Sequence, residues 1–146
     1  MSVIRVMSLP STPDASAGAS VVLVVDDEPI VRRTASLMLQ RLGFRVVEAE
    51  SGAQALQLYG SSPVDAVLLD MSMPVMSGED TFRQLLVLDP NVRVIVSTGY
   101  GEDYAMERLG LQIVLRKPYT SQRLLEVVNE ALTPNKATDV MRNGAQ

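Results

Sequence analysis

Val21-Val22-Leu23-Val24-Val25-Asp26-Asp27, VVLVVDD in one-letter code, is an unbroken apolar run that stops on two acids. A strand with one wet face alternates apolar and polar residues, whereas a run apolar at every position suits a strand covered on both faces. The stretch therefore predicts a strand inside a parallel sheet, with Asp26 and Asp27 at its carboxyl end. The next segment is helical: Pro29 suits a first turn after an Asp cap, and Val31, Ala35, Met38 and Leu42 keep a 3.6-residue period until Gly43 closes the segment.

The same unit recurs along the chain. RVVEA (Arg45 to Ala49) predicts a second strand, followed by a helix from about Ser51 with Ala53, Leu56 and Tyr59 facing inward. AVLLD (Ala66 to Asp70) predicts a third, followed by a Met/Pro/Gly loop and a helix carrying Phe82, Leu85 and Leu86. VRVIVS (Val92 to Ser97) predicts a fourth, with the least regular helix around Glu102 to Leu109. QIVLR (Gln112 to Arg116) predicts a fifth, and Leu124, Leu125, Val128 and Leu132 give the last helix its apolar stripe. Five strands alternating with five helices imply an α/β fold, a doubly wound five-stranded parallel sheet with helices on both faces.

Length and composition agree with one such domain. The chain has 146 residues, 47% hydrophobic but only 4% aromatic, so its core is aliphatic. Residues 1–19, which take in all but the last residue of the Ser/Pro/Ala/Gly-rich SLPSTPDASAGAS (8–20), are expected to be a flexible linker or N-terminal extension; 20–132 are expected to form the domain and 133–146 a flexible tail. A net charge of −4 gives no bulk attraction to phosphate backbones or anionic membranes, so direct nucleic-acid and membrane contacts are not expected. No apolar run approaches a bilayer span and no secretory signal opens the chain, which points to the cytoplasm. With no Cys and no His, disulfide scaffolds, zinc sites of those ligands, thiol nucleophiles and imidazole bases are excluded. Carboxylates, hydroxyls, Lys, Arg and a hard metal remain.

Open α/β sheets bind ligands beyond the carboxyl ends of their strands. The residues there are Asp26 and Asp27, Asp70, the hydroxyls Ser97 and Thr98, and Lys117, one of only two lysines in the chain. Three carboxylates brought together repel one another unless a cation holds them, and Mg²⁺ is the cation that takes oxygen ligands while keeping room for a phosphate oxygen. One acid is then free to act as a nucleophile. Asp70, alone at the end of a central strand, is the best placed to form an aspartyl phosphate, with Asp26 and Asp27 on the metal and Lys117 and Thr98 on the phosphoryl oxygens.

VVLVVDDEP, AVLLDMSMPVMSG, VIVSTGY and VLRKPY resemble the four signature blocks of the response-regulator receiver domain of bacterial two-component signalling. The resemblance spans about residues 20–132. It implies a flavodoxin-like strand order, 2-1-3-4-5, and transfer of a phosphoryl group to Asp70 from the phosphohistidine of a histidine kinase or phosphotransfer protein. It further implies Mg²⁺ held by Asp26, Asp27, Asp70 and the Ser72 backbone carbonyl, phosphoryl contacts from Thr98 and Lys117, and a cis bond before Pro118. The domain would catalyse only its own phosphorylation and dephosphorylation. The switching surface would be the fourth helix, fifth strand and fifth helix, also a candidate homodimer face. Val114 departs from the aromatic that many relatives carry there, leaving Tyr100 and Tyr119 as nearby aromatics. Ser72 stands where many carry Asn.

Other readings are a haloacid-dehalogenase-like phosphatase, disfavoured because Ser72 replaces the second acid of its D-x-D motif; a flavin-binding module, disfavoured by the acidic rim; and a receiver-like interaction module that works without phosphorylation. With only about fourteen residues after the domain, two placements are expected: a stand-alone response regulator, or the terminal receiver of a hybrid sensor histidine kinase. SVIRVMSLP and the linker after it tilt the balance to the second.

Overall fold

The computed structural model describes residues 19–99 and 113–133. Its strands are β1 (Val21–Val25), β2 (Arg45–Ala49), β3 (Ala66–Asp70), β4 (Val94–Thr98) and β5 (Val114–Arg116). Its helices are α1 (Pro29–Arg41), α2 (Gly52–Ser61), α3 (Gly78–Leu88) and α4 (Ser121–Leu132). All four strand pairings are parallel and the order is β2-β1-β3-β4-β5, the flavodoxin-like arrangement. Of the five expected helices, four lie among the described residues. The one expected at Glu102 to Leu109, the residues before Ala19 and those after Thr133 lie outside them.

The three central strands, β1, β3 and β4, are buried at every position, as their unbroken apolar runs require. Two apolar clusters cover the sheet. On one face Leu23, Val25, Val67, Leu69, Val94 and Val96 pack with Ala55 of α2 and Phe82 and Leu85 of α3. On the other, Val22, Val24, Leu68, Ile95 and Leu115 pack with Ala35 and Leu39 of α1 and Leu124, Val127, Val128 and Ala131 of α4. Ala53, expected to face inward, is exposed, and Ala55 takes that role because the inward arc of α2 runs through Gly52, Ala55, Leu56 and Tyr59.

Side-chain caps fix where three helices begin. Ser51, Ser77 and Thr120 accept hydrogen bonds from the N–H groups of Gln54, Asp80 and Arg123 at 3.1, 3.1 and 3.0 Å. Gly43 ends the first helix with φ of +100°, open to glycine without strain. The Asp cap expected before Pro29 does not form. Glu28 holds the N-cap position without a side-chain bond, and Asp26 Oδ1 instead accepts from the Glu28 N–H at 2.9 Å. That turn keeps Asp26 at the strand end, facing the other acids, rather than on the helix.

Candidate functional site

Every strand of the sheet points its carboxyl end to the same edge, and the polar residues gather there. Asp26 follows β1, Asp70 is the last residue of β3, and both are almost completely buried. One carboxylate oxygen from each of Asp26, Asp27 and Asp70 lies within 4.8 Å of the others. Lys117 reaches in from the end of β5, its Nζ 3.1 Å from Asp70 Oδ1 and 3.8 Å from Asp26 Oδ2. Its backbone N–H donates to the Thr98 carbonyl at 2.8 Å, and its peptide bond to Pro118 is cis, as expected. Thr98 is fully buried and its Oγ1 has no hydrogen-bond partner. Ser72 has an exposed side chain, and its N–H lies 3.4 Å from Asp70 Oδ1. The residues expected at the site are thus brought to one edge.

The electrostatics arise from this crowding. Burial pushes the Asp26 carboxyl above its ordinary value; the Glu28 N–H opposes that, and the charge of Asp70 adds to it. Burial works against the Lys117 ammonium, but the hydrogen bond and charge of Asp70, with Asp26 behind, outweigh it and hold the lysine above its usual value. Three carboxylates face one ammonium. When all are ionised two negative charges are left over, so a divalent cation matches the pocket in charge as well as in donor type.

Two neighbours escape a reading of the sequence. The Arg32 guanidinium donates to the Asp26 carbonyl at 2.8 Å and to Glu48 Oε1 at 3.1 Å, tying the turn after β1 to α1 and β2. No local pattern marks an arginine one turn into a helix for that task. Ser97 Oγ is buried without a partner, like Thr98 Oγ1. Its signal is visible in the sequence, since both hydroxyls close the fourth strand, but only Thr98 has an expected role. Tyr119 is half-buried against the α1/α4 side of the core, and burial pushes its hydroxyl up. Val114 packs on the opposite cluster. Tyr100 lies outside the described residues.

A sequence model of the response regulator receiver domain matches residues 22–129. The chain belongs to the response regulator receiver domain family. As a receiver it is a phosphoacceptor module of phosphorelay signalling, and the phosphatase and flavin readings fall away. It is 33% identical over 114 residues to Sporulation initiation phosphotransferase F of Bacillus subtilis, covering 76% of this chain and 92% of that one. It is 32% identical to the chemotaxis protein CheY of the same organism, covering 76% and 96%. Sensor kinase CckA of Brucella abortus is 35% identical over 121 residues, which are 80% of this receiver but 13% of the kinase. Among solved structures, a receiver domain protein from Clostridium thermocellum superposes with a TM-score of 0.72 at 33% identity, covering 77% of this chain and 94% of that one.

Proposed function

We propose that this receiver accepts a phosphoryl group on Asp70 from the phosphohistidine of a histidine kinase or phosphotransfer protein, with Mg²⁺ as cofactor. The observation that carries the reading is the convergence of Asp26, Asp27 and Asp70 with the Lys117 ammonium at the carboxyl ends of the strands. An Asp70 oxygen attacks phosphorus; the new O–P bond forms as the donor's P–N bond breaks, and the electron pair stays on the imidazole nitrogen. Lys117 neutralises a phosphoryl oxygen and Thr98, whose hydroxyl is otherwise unpaired, donates to another. Asp26, Asp27, Asp70 and the Ser72 carbonyl would hold Mg²⁺, which when bound supplies charge neutralisation for the incoming phosphoryl group.

The switched surface would be β5, α4 and the helix expected at Glu102 to Leu109, which lies outside the described residues, with Thr98 as its link to the site. Drawing Thr98 toward phosphate biases a two-state equilibrium by the difference in contacts between the states. The same face is the candidate homodimer surface. Among the described residues no helix is long and apolar enough to cross a membrane; a cytoplasmic place is part of the proposal. The limits of the module are taken as 20–132, with a linker before and a tail after. Two placements stand: a separate response regulator, and the receiver of a hybrid kinase. Relatives of both kinds match: Sporulation initiation phosphotransferase F and CheY, covered to 92% and 96% of their length, and sensor kinases, covered to 13–14%.

The test is intact mass after incubation with Mg²⁺ and acetyl phosphate, with Asp70→Asn as control. A Mg²⁺-dependent gain of one phosphoryl group that is lost in Asp70→Asn supports the reading. No adduct, and no binding of beryllofluoride, would move the function to a phosphorylation-independent interaction module.

A further inference from the structure

The three acids of the pocket are not held alike. Asp70 Oδ1 meets the Lys117 ammonium, and Asp26 Oδ1 accepts from the Glu28 N–H. Among the described residues the Asp27 carboxylate has no hydrogen bond or ion pair, although it lies within reach of the other two. Its place in the pocket is therefore set by the backbone that carries it. The peptide plane joining Asp26 to Asp27 fixes the direction in which Asp27 leaves the strand.

The carbonyl of that plane is the Asp26 oxygen, and Arg32 Nη1 donates to it at 2.8 Å. Arg32 is itself clamped. Its side chain is 15% exposed and its Nε donates to Glu48 Oε1 at 3.1 Å. Glu48 precedes Ala49 on β2, and the Ala49 carbonyl accepts the Asp26 N–H at 3.1 Å. The end of β2 thus anchors Asp26 from both sides, directly through its N–H and through Glu48 and Arg32 at its carbonyl. A guanidinium serves two acceptors at once in one rigid plane, which an ammonium cannot do. Arg33 meets Glu48 from outside, at 3.7 Å and 71% exposed, and does not reach the turn.

Charge alone does not explain an arginine here, because a cation beside a pocket of acids repels a divalent ion. Resting on the reading of Asp26, Asp27 and Asp70 as Mg²⁺ ligands, we propose that Arg32, clamped by Glu48, is a positioning residue for the metal. It sets the Asp26–Asp27 peptide plane so that the Asp27 carboxylate already stands in the pocket when the ion arrives. The gain in alignment outweighs the repulsion.

The test is calorimetric titration with Mg²⁺, together with phosphorylation by acetyl phosphate at increasing Mg²⁺, at a temperature where thermal melts show every variant folded. Arg32→Met is expected to weaken Mg²⁺ binding about 10-fold or more, the usual cost of losing a group that orients a metal ligand, with phosphorylation recovering as Mg²⁺ is raised. Glu48→Ala frees the arginine and is expected to weaken binding in the same direction. Glu48→Gln, which keeps an acceptor oxygen for Nε, is expected to restore it; loss of charge alone would leave Gln no better than Ala. An arginine that only stabilises the fold would lower the melting temperature in chelator and leave the Mg²⁺ dissociation constant unmoved, and one acting only by its charge would give tighter binding in Arg32→Met. Either result overturns the inference, provided that Asp27→Asn still loses Mg²⁺. If Asp27→Asn binds Mg²⁺ as well as the unaltered chain, the reading of Asp27 as a ligand falls instead, and the inference with it. Should Arg32→Met fold poorly, Arg32→Lys, which keeps the charge without the fork, is expected to show the same weakening, and unweakened binding there overturns the inference.

Discussion

A β-branched residue is poorly suited to the left-handed region of backbone space, yet Val75 occupies it with φ of +66° in the loop after Asp70, its side chain fully exposed. That conformation costs an L-residue about 1–2 kcal/mol. Val75→Gly removes the strain but loosens the unfolded chain, so a net gain of about 0.5–1 kcal/mol in chemical denaturation is expected. A loss of stability would show that the loop is held in that conformation by Val75 itself. Far from the site, Tyr59 donates to Asp89 Oδ2 at 2.6 Å. Burial first, then this bond, pushes the Tyr59 hydroxyl well above its ordinary value of 10.0, while the bond pulls the Asp89 carboxyl below 3.8. The Asp89 contribution to stability is present above pH 3.8 and lost as pH falls through its lowered folded value; the Tyr59 contribution is lost as pH rises above 10. Tyr59→Phe is expected to return the Asp89 titration toward its usual range, read by carboxyl NMR. An unmoved Asp89 titration would rule out the bond as its cause.

Among the elements, the start of α3 lies backbone to backbone against the end of β3. A Cβ on Gly78 would lie 2.5 Å from the Asp70 carbonyl oxygen and from Met71 Cα, so the helix and the strand end approach closer than any other residue permits. Gly78→Ala has to part backbone from backbone beside the acid pocket. We expect a loss of about 1–3 kcal/mol by denaturation together with slower phosphorylation; an Ala variant as stable and as fast as the original would contradict the close contact. The elements themselves are largely legible in the sequence. VVLVV, RVVEA and AVLLD form strands over the residues their patterns predict, because short β-rich runs bounded by acids or turn residues leave little choice. The pattern starts the fourth strand two residues early, at Val92, since Val92-Arg93 continues the β-rich composition. In the fold Val92 instead donates its N–H to the Asp89 carbonyl in a turn, and pairing starts at Val94. In the last helix Val127 and Ala131 are buried and lie outside the expected stripe, which is broader than a one-in-four count suggests. The site residues are legible because strand ends carry them; the pairing of Asp70 with Ser97 across β3 and β4 needs the register.

At the scale of the whole molecule, the acid pocket sets chemistry against stability. Asp26 is raised above 3.8 chiefly by burial, so its favourable contribution is present below that pH and is lost as pH rises through the raised folded value. At neutral pH without a divalent cation the ionised cluster is a burden. Asp26→Asn is expected to raise the thermal midpoint in chelator and to flatten the fall in stability above about pH 4. The unaltered receiver gains from Mg²⁺ by mass action, about 2.7 kcal/mol at a hundred times the dissociation constant, and Asp26→Asn should lose most of that gain. A lower midpoint for Asp26→Asn in chelator would refute the repulsion account. The polar row at the strand ends has one more effect. β1, β3 and β4 are buried along their whole length, and Val94-Ile95-Val96 would fill either face of the sheet nearly as well if shifted by one position. Alternation, the usual guard against strand slippage, is missing from all three. Only the return of charge at Asp26 and Asp70, and of hydroxyls at Ser97 and Thr98, marks where each strand must stop. These side chains are thus a ruler for the folding chain, and replacing them with apolar residues would blur the alignment of the strands as well as the chemistry.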